Sequence, residues 1–385
     1  MAIKTMGGQA EVSSLSGTRS TNNYLVSPRS DAWLLGGLGI VAWVFFSAPS
    51  WGWYSSIGAI EGPLYWFLLA LSGTHFGASY HLAYGQGRHH VRQQANLLVT
   101  GPLLLVAVSI GVVIIAAVGA RERADEILRF LLVGVFTLTT WHYIKQVYGV
   151  MRVGASLNQL KLDPLSTKVL RYGLYPLWLV EAGKVWSGRS TATREDLAIS
   201  YELLPRSAVT TLEWVSWVSM ATIAVVFARL LLRWRRLPGT MWTPYVAAFL
   251  WLVYTPGVAS TVLVFGALHG VQYLACAHRA EVAWGTERSP GSPTIWWASV
   301  FGGALATGFL LVYWLPQLLT GSTETTAVGT IPAALLFVGF NLHHYAVDAS
   351  IWRFGGEHIA RITGRHQPVT HQPSPGRSAA RTHRG

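Results

Sequence analysis

The chain has 385 residues, 51% of them hydrophobic and only 12% charged, with 18 Trp and one Cys. That balance excludes an ordinary soluble enzyme and fits a polytopic membrane protein. The lone Cys276 excludes an internal disulfide and any thiolate-rich zinc or iron–sulfur centre. The net charge of +12 is gathered in loops and a tail, which favours lipid headgroups over nucleic acid as the anionic partner.

Three regions are predicted. Residues 1–31 form a polar segment without the short apolar stretch and cleavage site of a secretory signal, so the first membrane helix drives insertion. Residues 32–353 form an all-α transmembrane bundle of about nine or ten spans, and residues 354–385 a disordered basic tail. Apolar stretches place spans near 32–53, 63–84, 97–119, 128–150, 170–187, 213–234, 243–255, 258–278, 294–315 and 330–352. The fifth and seventh are short or interrupted, and Pro256–Gly257 marks either a hairpin or a broken helix. Arg88 and Arg92, Arg152 and Lys161, Arg233, Arg235 and Arg236, Arg279, and Arg353 follow the even spans. The loops near Gly52–Gly62 and Gln317–Ala327 carry neither Lys nor Arg. By the positive-inside rule both termini are cytoplasmic, in a multi-pass protein of the bacterial inner membrane.

Nine histidines lie inside these spans or one turn beyond: His75, His81, His89, His90, His142, His269, His278, His343 and His344. Ionisable groups in hydrocarbon are costly and normally face a bundle interior with a function, and neutral imidazole is a common metal ligand. His142, His269 and His343 each precede a boundary arginine by ten residues, about 15 Å at helical rise. His75 and His81 bracket the same depth before Arg88. Spans two, four, eight and ten therefore deliver imidazoles to one layer.

In the second span, His75 and His81 are six residues apart, roughly 120° out of register on an ideal helix. They serve two metals or bracket one cavity. Gly85 and Gly87 offer a break that can fold His89 and His90 back toward the site, or leave them at the headgroups. In the fourth span His142, Lys145 and Gln146 share a face, with Lys145 expected to snorkel or to pair with Asp348. In the eighth, His269, Gln272 and Tyr273 form a polar stripe, His269 as ligand and the other two as support, while His278 is a ligand or an interfacial residue. In the tenth, His344 and Asp348 are four apart on one face. Asp348 either ligates or fixes the imidazole tautomer. Glu181 and Lys184 in the fifth span read as a helix pair rather than chemistry. No P-loop, dinucleotide fingerprint, HExxH or Gly-x-Ser-x-Gly element is present.

Imidazoles with an occasional carboxylate and no thiolate suit iron, zinc or copper. Their number exceeds the needs of one tetrahedral ion, so two irons are expected. The elements Thr74-His75-Phe-Gly-Ala with His81, and the doublets His89-His90 and His343-His344, resemble in type the integral-membrane di-iron class of fatty-acid desaturases, lipid hydroxylases and Brp/Blh-type carotene oxygenases. The resemblance implies a histidine cluster at cytoplasmic helix ends around an apolar tunnel. It also implies O₂-dependent oxidation of a lipid or isoprenoid, with electrons from a separate donor protein. The metal ligands on this reading are His75, His81, His142, His269, His343, His344 and Asp348. His89, His90, His278, Gln146, Gln272 and Tyr273 are further ligands or support. Rival classes are a transporter or proton-coupled carrier, a haem protein and a membrane acyltransferase using His269.

Overall fold

Helix starts follow capping chemistry. Ser27 accepts the Ser30 amide at 3.1 Å ahead of Pro28 and opens α1 (Pro28–Ala32), and Asp163 accepts the Ser166 amide ahead of Pro164 and opens α7 (Pro164–Tyr172). These elements come from a computed structural model, which describes residues 23–47, 63–188, 193–194, 197–198, 201–254, 264–288, 292–320, 331–353 and 356–363. Pro256–Gly257, the Gly52–Gly62 loop and most of both the polar N-terminal segment and the basic tail lie outside the described residues. The described part of the tail, expected to be disordered, forms a short helix over Glu357–Ile362 that buries Ile359 and Ile362.

The remaining elements in chain order are α2 (Leu38–Ser47), α3 (Pro63–Tyr84), α4 (Arg88–Gln93), α5 (Gly101–Ala117) and α6 (Arg121–Leu157). After α7 come α8 (Tyr175–Trp186), a minimal antiparallel pair β1 (Thr193–Arg194) and β2 (Leu197–Ala198), α9 (Arg206–Trp234) and α10 (Gly239–Phe249). The last are α11 (Gly266–Arg288), α12 (Pro293–Phe309), α13 (Leu315–Thr320), α14 (Ile331–Ile351) and α15 (Glu357–Ile362). π-helical turns join α1 to α2, lead into α5, extend α10 and link α12 to α13. The described chain is nearly all helical, as expected. The expected fifth span is two helices, because Gly173 ends α7 and Pro176 sits in the first turn of α8. The expected fourth span lengthens at both ends into a 37-residue helix.

Three described helices, Asn96–Ala117, Arg121–Leu157 and Arg206–Trp234, are long and apolar enough to cross a membrane. Leu103, Leu104, Ile110 and Ile114 on α5 and Trp214, Val218, Val225 and Leu232 on α9 point outward and are exposed. The buried set meanwhile includes Thr74, His75, His269, Gln272, His344 and Asp348. Apolar outside and polar inside is the arrangement that lipid, not water, stabilises.

Four helices frame that polar interior. α3 packs on α11 and α14, and α6 packs on the same two. Small residues let α3 approach α12: a Cβ at Gly77 would land on the Ala304 backbone, and one at Gly308 on the Gly73 backbone. The helix ends near the start of the described chain are tied down by polar bonds. Buried Asp31 accepts the amides of Leu25 (2.6 Å), Val26 (2.8 Å) and Ser27 (3.3 Å). Arg279 on α11 donates to the carbonyls of Tyr24 (2.8 Å) and Ile362 (3.3 Å). On the far side of α6, α8 buries Glu181 and Lys184, whose Nζ donates to Glu181 Oε1 at 2.5 Å and to the Leu252 carbonyl at 3.0 Å.

Candidate metal centre

Each of the four framing helices contributes one imidazole to a chain of ring contacts in the interior. His75 Nε2 lies 3.2 Å from His344 Nε2, and His142 Nε2 lies 3.1 Å from His269 Nε2. The His75 and His269 rings are 5.3 Å apart and those of His142 and His344 are 5.0 Å apart, both edge-on. Asp348, one turn beyond His344, brings Oδ2 to 3.4 Å from His142 Nε2 and 3.7 Å from His344 Nε2. His75, His269 and His344 form one group of donors that can hold a metal ion, and His142, His344 and Asp348 form another. His344 belongs to both.

Hydrogen bonding around His344 fixes which nitrogen faces inward. Ser79 donates its hydroxyl proton to the Phe76 carbonyl at 2.8 Å. Its oxygen therefore accepts from His344 Nδ1, 3.0 Å away. That tautomer leaves Nε2 of His344 as a lone pair, aimed at a second imidazole and a carboxylate oxygen. In a dry interior such a lone pair is satisfied by a proton on the neighbouring imidazole or by a cation between the donors. Nitrogens bound to one ion at about 2.0–2.1 Å stand about 3.3 Å apart in a tetrahedron, close to the separations found here. The donor set thus fits a metal that accepts imidazole and carboxylate.

The surrounding shell holds these rings rather than binding. Tyr345 stacks on His142 with centroids 4.7 Å apart, and its hydroxyl meets Thr139 and Asn341. Gln146 donates to the His269 carbonyl (2.9 Å) and to Gln272 Oε1 (3.1 Å), and Gln272 donates to the Leu35 carbonyl (2.5 Å). The two glutamines therefore lock α6, α11 and the first π-turn together, turned away from the donors. Tyr273 and Trp352 line the same cavity as Asp348 and meet edge-on with centroids 5.3 Å apart. Gly270 admits α3 closely: a Cβ there would sit 3.1 Å from the Leu71 carbonyl and 3.2 Å from His75 Nδ1.

The other histidines lie elsewhere. His343, one residue before His344, is turned about 100° around the helix. It stacks on Tyr80 (5.2 Å) and reaches the Tyr84 hydroxyl at 3.0 Å. Tyr84 also reaches the Leu98 carbonyl at 2.9 Å, so His343 Nε2 is engaged at a hydroxyl away from the donor group. His81 faces buried Glu281 at 3.4 Å, and Glu281 accepts the Trp296 indole at 2.9 Å. His89 pairs with Gln93 on α4, a helix with no buried residue, so the Gly85–Gly87 break does not carry it back. His90 shares that helix, and His278 stands edge-on to Trp297 at 5.3 Å. Lys145 lies over the Trp141 ring at 5.8 Å. Ser79, Tyr345 and Thr139 were not singled out from the sequence. Ser79 sits four residues after His75, on the same face, which is the signal that would have found it.

Beside the Asp348 edge of the group lies a cavity of about 580 Å³. His142, Tyr273, Tyr345 and Asp348 line it at the donor group, Trp141, Tyr148, Tyr175 and Trp352 form aromatic walls, and Lys145, Arg152, Arg171 and Arg353 complete it. No protein-family model, curated protein or solved structure matches this chain.

Proposed function

We propose that this protein is a multi-pass inner-membrane oxygenase with both termini cytoplasmic, which uses non-haem iron and O₂ to oxidise a C–H bond of a lipid or isoprenoid. The observation that carries this reading is a pair of donor triads, His75–His269–His344 and His142–His344–Asp348, sharing His344 and with all members but His142 buried, beside an aromatic-walled cavity. His75, His142, His269, His344 and Asp348 would hold the metal. The five donors fall into two triads that share His344, and the remaining histidines face other partners; one ion held at the shared ring is proposed here, where the histidine count alone leads to two. Iron bound there supplies activation of O₂. Hydroxylation consumes O₂, two electrons and two protons and releases water, so a separate donor protein supplies the electrons.

The residues around the ligands perform the rest. Ser79 holds His344 in the Nδ1–H tautomer. Tyr345 fixes the ring plane of His142. Phe76 and Tyr143, with ring centroids 4.3 Å and 4.5 Å from His344 and His269, keep water from the donors. Tyr273 and Trp352 flank Asp348 on the cavity lining. Metal analysis and O₂ uptake on detergent-purified, full-length protein test the proposal. About one iron per chain, with O₂ uptake stimulated by membrane lipid and a donor, is the expected result. A Soret band, or no stoichiometric metal, contradicts it and returns the haem or carrier classes to the lead.

A further inference from the structure

The cavity beside the donor group has two chemically different ends. At one, His142 and Asp348 face inward; at the other stand three guanidinium groups from three elements: Arg152 on α6, Arg171 on α7 and Arg353 just after α14. Lys145 adds a fourth cation between them, and the one acid on the lining, Asp348, is engaged with His142 and His344. Arg171 lies over the Tyr148 and Tyr172 rings and Arg353 Nε donates to the Ala349 carbonyl at 2.9 Å, contacts that leave the positive charges without a carboxylate counter-charge from the rest of the lining. A neutral hydrocarbon supplies no complementary charge, and a choline head would add a like one. Guanidinium groups match the paired oxygens of a carboxylate or phosphate.

We infer that the occupant is an amphiphile with a singly headed anion, carboxylate or phosphate monoester, seated on Arg152, Arg171 and Arg353, its chain running between the aromatic walls toward His142 and Asp348. The chain's destination rests on the oxygenase reading; the head-group preference does not. Arg152 follows His142 by ten residues and Arg353 follows Asp348 by five, about 15 Å and 7.5 Å along their helices. The carbon presented to the metal end therefore lies well down the chain, not beside the head. A neutral isoprenoid, admitted under the broader proposal, is thereby disfavoured as substrate.

The test uses full-length protein in neutral detergent and three radiolabelled probes of one chain length: hexadecanoate, hexadecyl phosphate and hexadecanol. Saturable binding of about one anionic probe per chain is expected, at least about tenfold tighter than hexadecanol. The tighter of the two anions identifies the head as carboxylate or phosphate. Arg171 and Arg353 are exposed, so Arg171→Gln and Arg353→Gln leave the fold intact. Each weakens the anion about tenfold and leaves hexadecanol unchanged. Equal binding of hexadecanol, unsaturable uptake, or anion affinity untouched in both variants overturns the inference. Metal content and probe binding measured on the same preparation separate the two readings. Preference for the anion without any metal binding sinks the oxygenase alone; full metal content without that preference sinks the head-group inference alone.

Discussion

Two groups of buried polar side chains lie on opposite sides of α6, and they meet the cost of burial in opposite ways. Glu181 and Lys184 are an i,i+3 pair on one helix, in contact at 2.5 Å, with the ammonium also bonded to the Leu252 carbonyl at 3.0 Å. Opposite charges cancel and nothing further is required; such pairs hold a local arrangement without adding much net stability. The histidine group gathers like donors from four helices, Nε2 toward Nε2 and toward a carboxylate oxygen, with His344 held by Ser79 so that its lone pair faces inward. The first group is closed by its own residues. The second presents donor atoms from four helices that can hold a cation from outside, which the first does not.

Breaking each group should therefore give different losses. The largest is expected from His344→Ala, which removes the donor common to both triads: stoichiometric metal should disappear in elemental analysis, while His343→Ala, on the neighbouring position, keeps it. Lys184→Met leaves Glu181 buried without its counter-charge and should cost about 3–5 kcal/mol in denaturant unfolding, with metal content unchanged in the fraction that stays folded. Ser79→Ala releases the His344 tautomer and should weaken metal affinity about 10–100-fold by competition with a chelator, without a matching loss of fold.

The smallest effect concerns a closed polar group at the surface. Hydrogen bonds from the Ser166 amide and hydroxyl, with Arg229 alongside, hold Asp163 below the usual carboxylate range. A depressed native pKa means that its contribution is present above the unfolded-state pKa and fades as pH falls through the native one. Asp163→Asn should flatten that part of the acid side of the unfolding profile slightly and leave the metal in place.

The sequence reveals height within the bundle better than it reveals direction around a helix. Counting residues back from the boundary arginines put His142 and His269 in one layer, and the coordinates bring their Nε2 atoms together. The same count selected His343, where the structure directs His344 inward, because one residue changes depth by only about 1.5 Å but turns the side chain by about 100°. Azimuth is set by which helices pack on which, and that information is tertiary. His81 illustrates the same point: its depth is suitable, but its face of α3 meets α11 at Glu281 rather than at His269. The i,i+4 relation of His344 and Asp348 was legible because both lie on one helix. The helical class was legible from apolar runs, while the division of the fifth stretch into α7 and α8 depended on Gly173 and Pro176, which a length criterion overlooks.

X-ray absorption on the iron-loaded, full-length protein addresses the central claim most directly, since it counts imidazoles around the ion. Scattering from about four histidine rings plus a light oxygen ligand, unaltered by His343→Ala and reduced by one ring in His142→Ala, is the outcome predicted. Two or fewer imidazoles, or a spectrum that ignores His142→Ala, would contradict the convergence of α3, α6, α11 and α14 on one metal.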